Sequence, residues 1–464
     1  MAGIDFGPQR GMVAGMIRVS HQFPLIRPAL EKEICRPKIW SRWRRAVGGG
    51  LVLGGLSFVL TATGAPWIQT TSFPIPVGGF GQPEGFAEHS MVYASGFLYN
   101  AGGFGDFYGD SARVLYSQVQ SNGTIGAWNE TTPLPTMILD HASVAANGFV
   151  YVLGGETFTP DNSDLGGFYT FTTAVYYSQI NPNGSLGTWQ TANSLPQPAW
   201  LLSAAVWNNR IYAIGGYNGE ALISNVYSAI IQADGSLSAW VTQRPLPDAI
   251  FAHAGVANGM LYVLGGVVNS GSTIQNKVYY AKINADGTLG IWNQTTPLPS
   301  LLAQFGAVAA NGRVFVMPGS NGSAPTNGFY SAPVLGDGSL GSWSAGPALP
   351  KALYLPAVAV TDSHIFLSGG QSNIQTESAV YSMALPSPPA APALTSQGFG
   401  TNGHFQLKLT SDMNTGFGIL ASTNLTDWTP IGTGFTDTNG VLSFEDANAA
   451  SFPRRFYRAY WPLP

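Results

Sequence analysis

Along most of the chain, apolar and polar residues alternate with a period of two in short stretches, and the stretches are cut by Asn-Gly or Asp-Gly pairs. HASVAANGFVYVLGG (His141 to Gly155) and HAGVANGMLYVLGG (His253 to Gly266) show the pattern. Side chains on a strand point alternately to its two faces, so the alternation predicts strands with one face in a core. Asn-Gly and Asp-Gly supply the positive φ that a two-residue hairpin turn needs, so each pair predicts a tight antiparallel connection. A second hairpin follows each first one, as in VYYSQINPNGSLGTW (Val175 to Trp189) and VYYAKINADGTLGIW (Val278 to Trp292). The prediction is therefore a four-stranded unit, strands a to d, with Gly-Gly closing b, a tyrosine on c and a tryptophan on d.

The unit repeats. A Trp followed six residues later by Leu or Phe and then by Pro occurs at Trp67, Trp128, Trp189, Trp240, Trp292 and Trp343, at intervals of 61, 61, 51, 52 and 51 residues. Gly-Gly, Tyr and Trp in units of about 50 residues resemble the kelch repeat, and the resemblance covers residues 67 to about 384. It implies an all-β, six-bladed propeller. Two departures stand out: Pro318-Gly319 replaces Gly-Gly in the fifth unit, and Glu156 to Thr173 is inserted in the second. The fifth blade is accordingly expected to be shaped differently.

The pattern opens on a lone d-type strand at Trp67 and ends on a, b and c without d, so an N-terminal strand is expected to complete the sixth blade and close the ring. The predicted organisation is an export segment over 1–65, the propeller over 66–385, a Pro-rich linker over 386–392, and a small β-sandwich-like accessory domain over 393–464. The string STNLTDWTPIG with RRFYRA near the end resembles a C-terminal module found on surface and secreted proteins of environmental bacteria of the Verrucomicrobia type.

Composition sharpens this picture at two points. Charged residues are only 9% of the chain, against 58 glycines and 32 prolines, which suits many short strands and turns. Residues 1–45 hold nine Lys or Arg and three Asp or Glu, so the remainder is acidic; lacking a basic stripe, it is not expected to bind nucleic acid. Arg36, Lys38, Arg42, Arg44 and Arg45 precede the apolar run Ala46 to Ala65, the order of an export signal. Cleavage near Gly64 is expected, with a retained membrane anchor as the alternative; Met12 and Met16 are alternative starts. Cys35 is the single cysteine, so the folded part holds no disulfide. The expected location is periplasmic, cell-surface or extracellular.

Candidate chemistry is sparse. Asp-Gly-Ser-Leu-x-x-Trp is similar to the Asp box of sialidases, but its spacing is one residue too long, and Arg113, Arg210, Arg244 and Arg313 fall at unrelated repeat positions. The copper site of galactose oxidase, the best-known kelch enzyme, would need a cysteine that the propeller lacks. No catalytic residues, metal ligands or cofactor are assigned. His89, His141 and His253 read as one repeat position at the start of strand a, replaced by Ser203, Phe305 and Pro356 in the other units. They are expected either to ring the mouth of the central channel or simply to pack and cap their strands. The d-to-a connections should bring His89, Asp140, His141, Trp200, Phe251, His253 and Tyr354 to one face, a mixture of flat rings and hydrogen-bonding groups that suits a glycan and, almost as well, a protein. A binding propeller is thus the first reading. A sugar-modifying enzyme is the alternative, because a six-bladed kelch propeller also resembles periplasmic sialic-acid epimerases.

Overall fold

The computed structural model describes residues 66–74, 85–105, 109–160, 167–268, 273–335, 337–373, 375–386, 392–412 and 415–460. The export segment predicted over 1–65 lies outside the described residues. Six antiparallel sheets form the blades over residues 68–384, five of four strands and the fourth with one extra short strand, and two small sheets lie among the loops. Blades 1 to 5 begin with innermost a strands Ser90–Ala94, Ala142–Ala146, Ser203–Trp207, Phe251–Ala257 and Ala307–Ala310, and each ends with a two- or three-residue d strand on its outer edge. Blade 6 takes a, b and c from Ala357–Val360, His364–Ser368 and Val380–Ala384, and its d strand is Ile68–Gln69, paired antiparallel to Val380–Ala384. Each a strand touches those of both neighbouring blades, and the circle closes between Ser90–Ala94 and Ala357–Val360. The fold is the expected kelch-type propeller closed by an N-terminal strand.

The sequence builds this ring by placing apolar residues on both faces of the central strands. Phe149–Leu153, for example, is buried at four of its five positions. The resulting cores lie between blades rather than within them: one joins Tyr151 and Leu153 to Ile211 and Ala213, and another joins Trp67 and Leu367 to Phe315 and Phe329. Full burial of one such side chain contributes about 1.5–3 kcal/mol, so every blade is stabilised mainly by its neighbours.

The six tryptophans link the blades by hydrogen bonds as well as by packing. Each indole Nε1–H donates to the main-chain carbonyl four residues beyond the preceding Trp: Trp128 to Thr71, Trp189 to Thr132, Trp240 to Asn193, Trp292 to Arg244 and Trp343 to Thr296, at 2.8–3.2 Å. Trp67 completes the circle by donating to Pro347 at 3.0 Å, across 280 residues of chain.

A second ladder runs through the b strands. Tyr99, Tyr151, Tyr212 and Tyr262 donate their hydroxyls to the carbonyls of Gly184, Gly235, Gly287 and Gly338, each in the c–d turn of the next blade, at 2.7–2.8 Å. Blades 5 and 6 carry Phe315 and Phe366 at this position. The blade after Phe315, blade 6, has no c–d turn because its d strand comes from the other end of the chain, so among the described residues Phe315 faces no turn carbonyl of this kind.

The C-terminal residues form two three-stranded sheets, Ala393–Phe399 with Phe405–Thr410 and Val441–Asp446, and Thr429–Phe435 with Gly416–Ser422 and Phe456–Tyr460. Leu407, Leu409, Phe417 and Ile419 form the core between them, consistent with the expected small sandwich. Among the described residues no helix is long and apolar enough to cross a membrane.

Candidate functional site

The two faces of the ring are built differently. One carries the a–b and c–d turns, most of them two residues long and braced by short side chains: Asp234 accepts from the Ser236 N–H and hydroxyl, and Asp286 does the same for Thr288. The other face carries the d-to-a connections and the b-to-c loops, and here the blades diverge. Blade 2 raises an additional sheet, Gly167–Phe171 against Glu156–Pro160 against Ile138–Leu139. Blade 4 extends its hairpin to Phe251–Ala257 and Met260–Val268 and adds Thr273–Ile274.

Gly-Gly pairs set the geometry of this loop face. In blades 1 to 4 and 6 both glycines have positive φ, between 53° and 103°. The first glycine sits against the neighbouring blade and the second against its own a strand: a Cβ on Gly154 would lie 2.4 Å from the Ala199 carbonyl, and one on Gly266 would lie 2.2 Å from that of Phe251. Blade 5 differs as expected, since the Gly319 N–H there bonds the Thr326 hydroxyl at 3.1 Å.

Against this frame the seven predicted residues all lie on the loop face, but at four different repeat positions. Trp200, Phe251 and Tyr354 occupy equivalent sites, paired with Tyr217, Val267 and Gln371, the residues just after each Gly-Gly. Trp200 and Phe251 are buried and Tyr354 is half-buried, so they are largely packing rings rather than an open platform. Trp200 lies 5.7 Å from Phe171 and 6.1 Å from Tyr217, and its Nε1 has no hydrogen-bond partner among the described residues. Asp140 is buried, with φ of 51°.

His89 and His141 do share one position. Each is buried and reaches the preceding blade: His89 Nε2 is 3.1 Å from Ser368 Oγ, and His141 Nε2 is 2.8 Å from Ser90 Oγ, which in turn lies 2.6 Å from Ser143 Oγ. Their rings lie over Gly369 and Gly102. Burial lowers the His141 pKa to about 4; for His89 burial and then the nearby His141 lower it to about 3, against a smaller opposing effect of Ser368. Both imidazoles are neutral wedges between blades, which supports the packing role over a ligand-facing one.

His253 does not share that position, and neither does Ser203. Register places Ser90 opposite Ala101, Ala142 opposite Leu153, Ser203 opposite Ile214 and His253 opposite Leu264, each the residue before Gly-Gly. The counterparts of His89 and His141 are therefore Leu202, Ala252, Phe305 and Pro356. The error has a physical origin: blade 4 is one residue shorter here. Two residues separate the site of Trp200 from that of Ser203, whereas Ala252 alone separates Phe251 from His253, and the pairing shifts at this point. The His253 ring is half-buried, 4.7 Å from that of Phe305, and burial lowers its pKa to about 4.

Sequence reading also missed two features of this face. Met137 and Leu301 occupy one repeat position, four residues before His141 and Phe305, and are 39% and 50% exposed. In addition, Glu88, Asp140, Leu201, Gln304 and Leu355 share a left-handed backbone, with φ of 51–59°.

Comparison with known proteins agrees with this architecture. A family model described as Kelch motif matches residues 201–228, strands a to c of blade 3. The chain is 22% identical to Kelch-like protein 41a of Danio rerio over 52% of this chain and 38% of that protein. It is 26% identical to Kelch-like protein 40 of Mus musculus over 52% of this chain and 36% of that protein. Kelch-like protein terF of Aspergillus terreus is 27% identical over 45% of this chain and 46% of its own length. The match thus spans less than half the length of these curated relatives. A solved structure titled "Structure of YjhT" superposes with a TM-score of 0.52 at 13% identity, covering 67% of this chain and 96% of that one. Together with the six closed blades, these likenesses make the chain a kelch-repeat β-propeller in fold, followed by a small β-sandwich.

Proposed function

We propose that the propeller is an exported binding module that takes a protein ligand on its loop face. The observation that carries this reading is the asymmetry between the faces. Regular turns repeat almost unchanged on one side, while loop length and backbone conformation vary on the other, and binding residues concentrate on variable loops held by a rigid scaffold. Met137, Leu301 and the half-buried Phe171 and Leu201 supply apolar contact area there. The six-bladed kelch architecture suits an interaction role, and such propellers offer a broad, preorganised surface. Export rests on the basic-then-apolar order of residues 36–65, and sequencing the N-terminus of the protein from the extracellular or periplasmic fraction tests it, with Ala65 the expected start. Recovery of the full-length chain from membranes alone would establish the anchor instead.

The ligand class is tested by screening the purified chain in parallel against a displayed random-peptide library and a glycan array. Saturable peptide binding is the expected result. Binding of glycans alone would replace the protein ligand by a carbohydrate. Turnover of a bound sugar would replace the module by an enzyme, for which Glu88, His89, Asp140 and His141 are the acid, base and hydrogen-bonding groups on this face.

A further inference from the structure

At the channel mouth blade 4 lacks one backbone residue that the other blades have, and this missing position is termed the notch. In three neighbouring pairs of blades the left-handed residues are joined around the channel mouth by main-chain hydrogen bonds. The Asp140 N–H donates to the Glu88 carbonyl at 2.9 Å, Leu201 to Asp140 at 3.0 Å, and Leu355 to Gln304 at 2.7 Å. Blade 4 has no such residue, because Phe251, Ala252 and His253 run straight into the a strand. The positions on either side, Leu201 of blade 3 and Gln304 of blade 5, keep the conformation of the linked residues, with φ of 53° each. Among the described residues no hydrogen bond is made by the Leu201 carbonyl or by the Gln304 N–H. An acceptor and a donor thus flank the place of a missing backbone residue.

The surroundings are those of a recognition site. Trp200, next to Leu201 in the chain, is buried with an indole N–H that has no partner among the described residues. Trp200, Phe251 and Ala303, from the connections into blades 3, 4 and 5, pack in one apolar cluster with Leu201 and Phe171 against it. A buried donor left without an acceptor is costly, so these groups favour a ligand that supplies both an N–H and a carbonyl.

We propose that this notch binds a main-chain amide of the protein ligand, whose N–H donates to the Leu201 carbonyl and whose C=O accepts from the Gln304 N–H, replacing the residue that blade 4 lacks. The inference rests on the loop face being the binding face. The absent residue would have offered its own N–H to one side and its own C=O to the other; a trans secondary amide carries the same donor and acceptor pointing in opposite directions, and a protein ligand supplies it from a loop inserted at the mouth. The N-acetyl group of an amino sugar carries the same chemistry and is the competing source.

The test uses the isotopically labelled full chain, titrated with acetyl-Gly-Ala-Gly-N-methylamide and, separately, with N-acetylglucosamine, while the Gln304 amide and Trp200 indole resonances are followed. The blocked peptide should shift both saturably. Insertion of one glycine between Phe251 and Ala252 restores the residue count; it should weaken that binding at least tenfold and slow exchange of the Gln304 amide at least tenfold. A Gln304 amide already protected in the unliganded wild-type chain would overturn the proposal without recourse to any variant. So would peptide binding that the insertion leaves unchanged, while stronger binding of N-acetylglucosamine at the same resonances would overturn the peptide in favour of the sugar. If the peptide shifts residues around Met137 and Leu301 but not Gln304, the notch fails and the loop face stands. If neither probe shifts any residue of this face, both fail.

Discussion

The turn face and the loop face of this propeller are made by the same strands, yet they obey different rules. On the turn side, the tryptophan donors repeat in all six blades and the tyrosine donors in four; Phe315 stands beside a blade without a c–d turn, and nothing in the structure explains Phe366 of blade 6, which faces the Asn122-Gly123 turn of blade 1. On the loop side, the residue at one position is His89, His141, Leu202, Ala252, Phe305 or Pro356, and a whole residue is missing from blade 4. Repetition marks the bonds that hold the ring together. The variation on the loop side, in packing residues as well as in residue count, is what the proposed binding role rests on.

The largest expected effect comes from opening the ring. Deleting residues 66–74 removes the closing strand together with buried Trp67 and Phe73. Loss of one such buried aromatic costs about 3–5 kcal/mol, and a domain has about 5–15 kcal/mol in all. Calorimetry should show no cooperative propeller melt; a melt of unchanged midpoint would refute closure by this strand.

Acid should act next, and through the loop side. His89, His141 and His253 are held at about 3, 4 and 4, against about 6.5 in an unfolded chain, so the unfolded state binds more protons between those values. Their contribution is complete above pH 6.5 and is lost as pH falls through 6.5 towards 4, at up to about 1.4 kcal/mol per pH unit for each histidine. His141→Leu, which copies Leu202, should flatten the fall in melting temperature between pH 6.5 and 4.5 by about a third. An equal slope in the variant would show that His141 already titrates normally in the fold.

Tyr262→Phe probes the turn side more gently. Loss of its bond to Gly338 should cost about 1 kcal/mol in urea unfolding, whereas Phe315→Tyr should gain nothing, because its hydroxyl has no turn to meet. Stabilisation by Phe315→Tyr would contradict the explanation of that exception. Smallest of all, deletion of 393–464 should move the propeller's melting temperature by less than about 2 °C, since the sandwich has its own core. A larger shift would make 386–392 something other than a linker.

Much of the ring was legible in the sequence. The Trp spacing, the Asn-Gly and Asp-Gly turns and the missing final d strand all report local needs, so they give blade number and closure directly. The partners of those tryptophans were not legible, because an indole bonds a carbonyl 47–57 residues back or, for Trp67, 280 residues on. Tyr99, Tyr151, Tyr212 and Tyr262 were visible as the third residue of each b strand, but only their acceptors explain them. His253 was misplaced because a dipeptide resembling those of His89 and His141 hid a one-residue deletion, which appears only when strands are aligned through their pairing. The candidate site was therefore legible as a face and not as a set of contacts.

The division of labour between the faces is tested most directly by charge placed on each. Met137→Glu and Leu301→Glu alter exposed residues of the loop face, and Ile230→Glu alters an exposed residue near the c–d turn of blade 3. All three should melt within about 0.5 kcal/mol of the wild type, as exposed substitutions do. Affinity for a peptide ligand selected on the wild-type chain, measured by titration calorimetry, should fall at least tenfold in the first two and stay unchanged in Ile230→Glu; the reverse order would place the binding surface on the turn face and contradict the account.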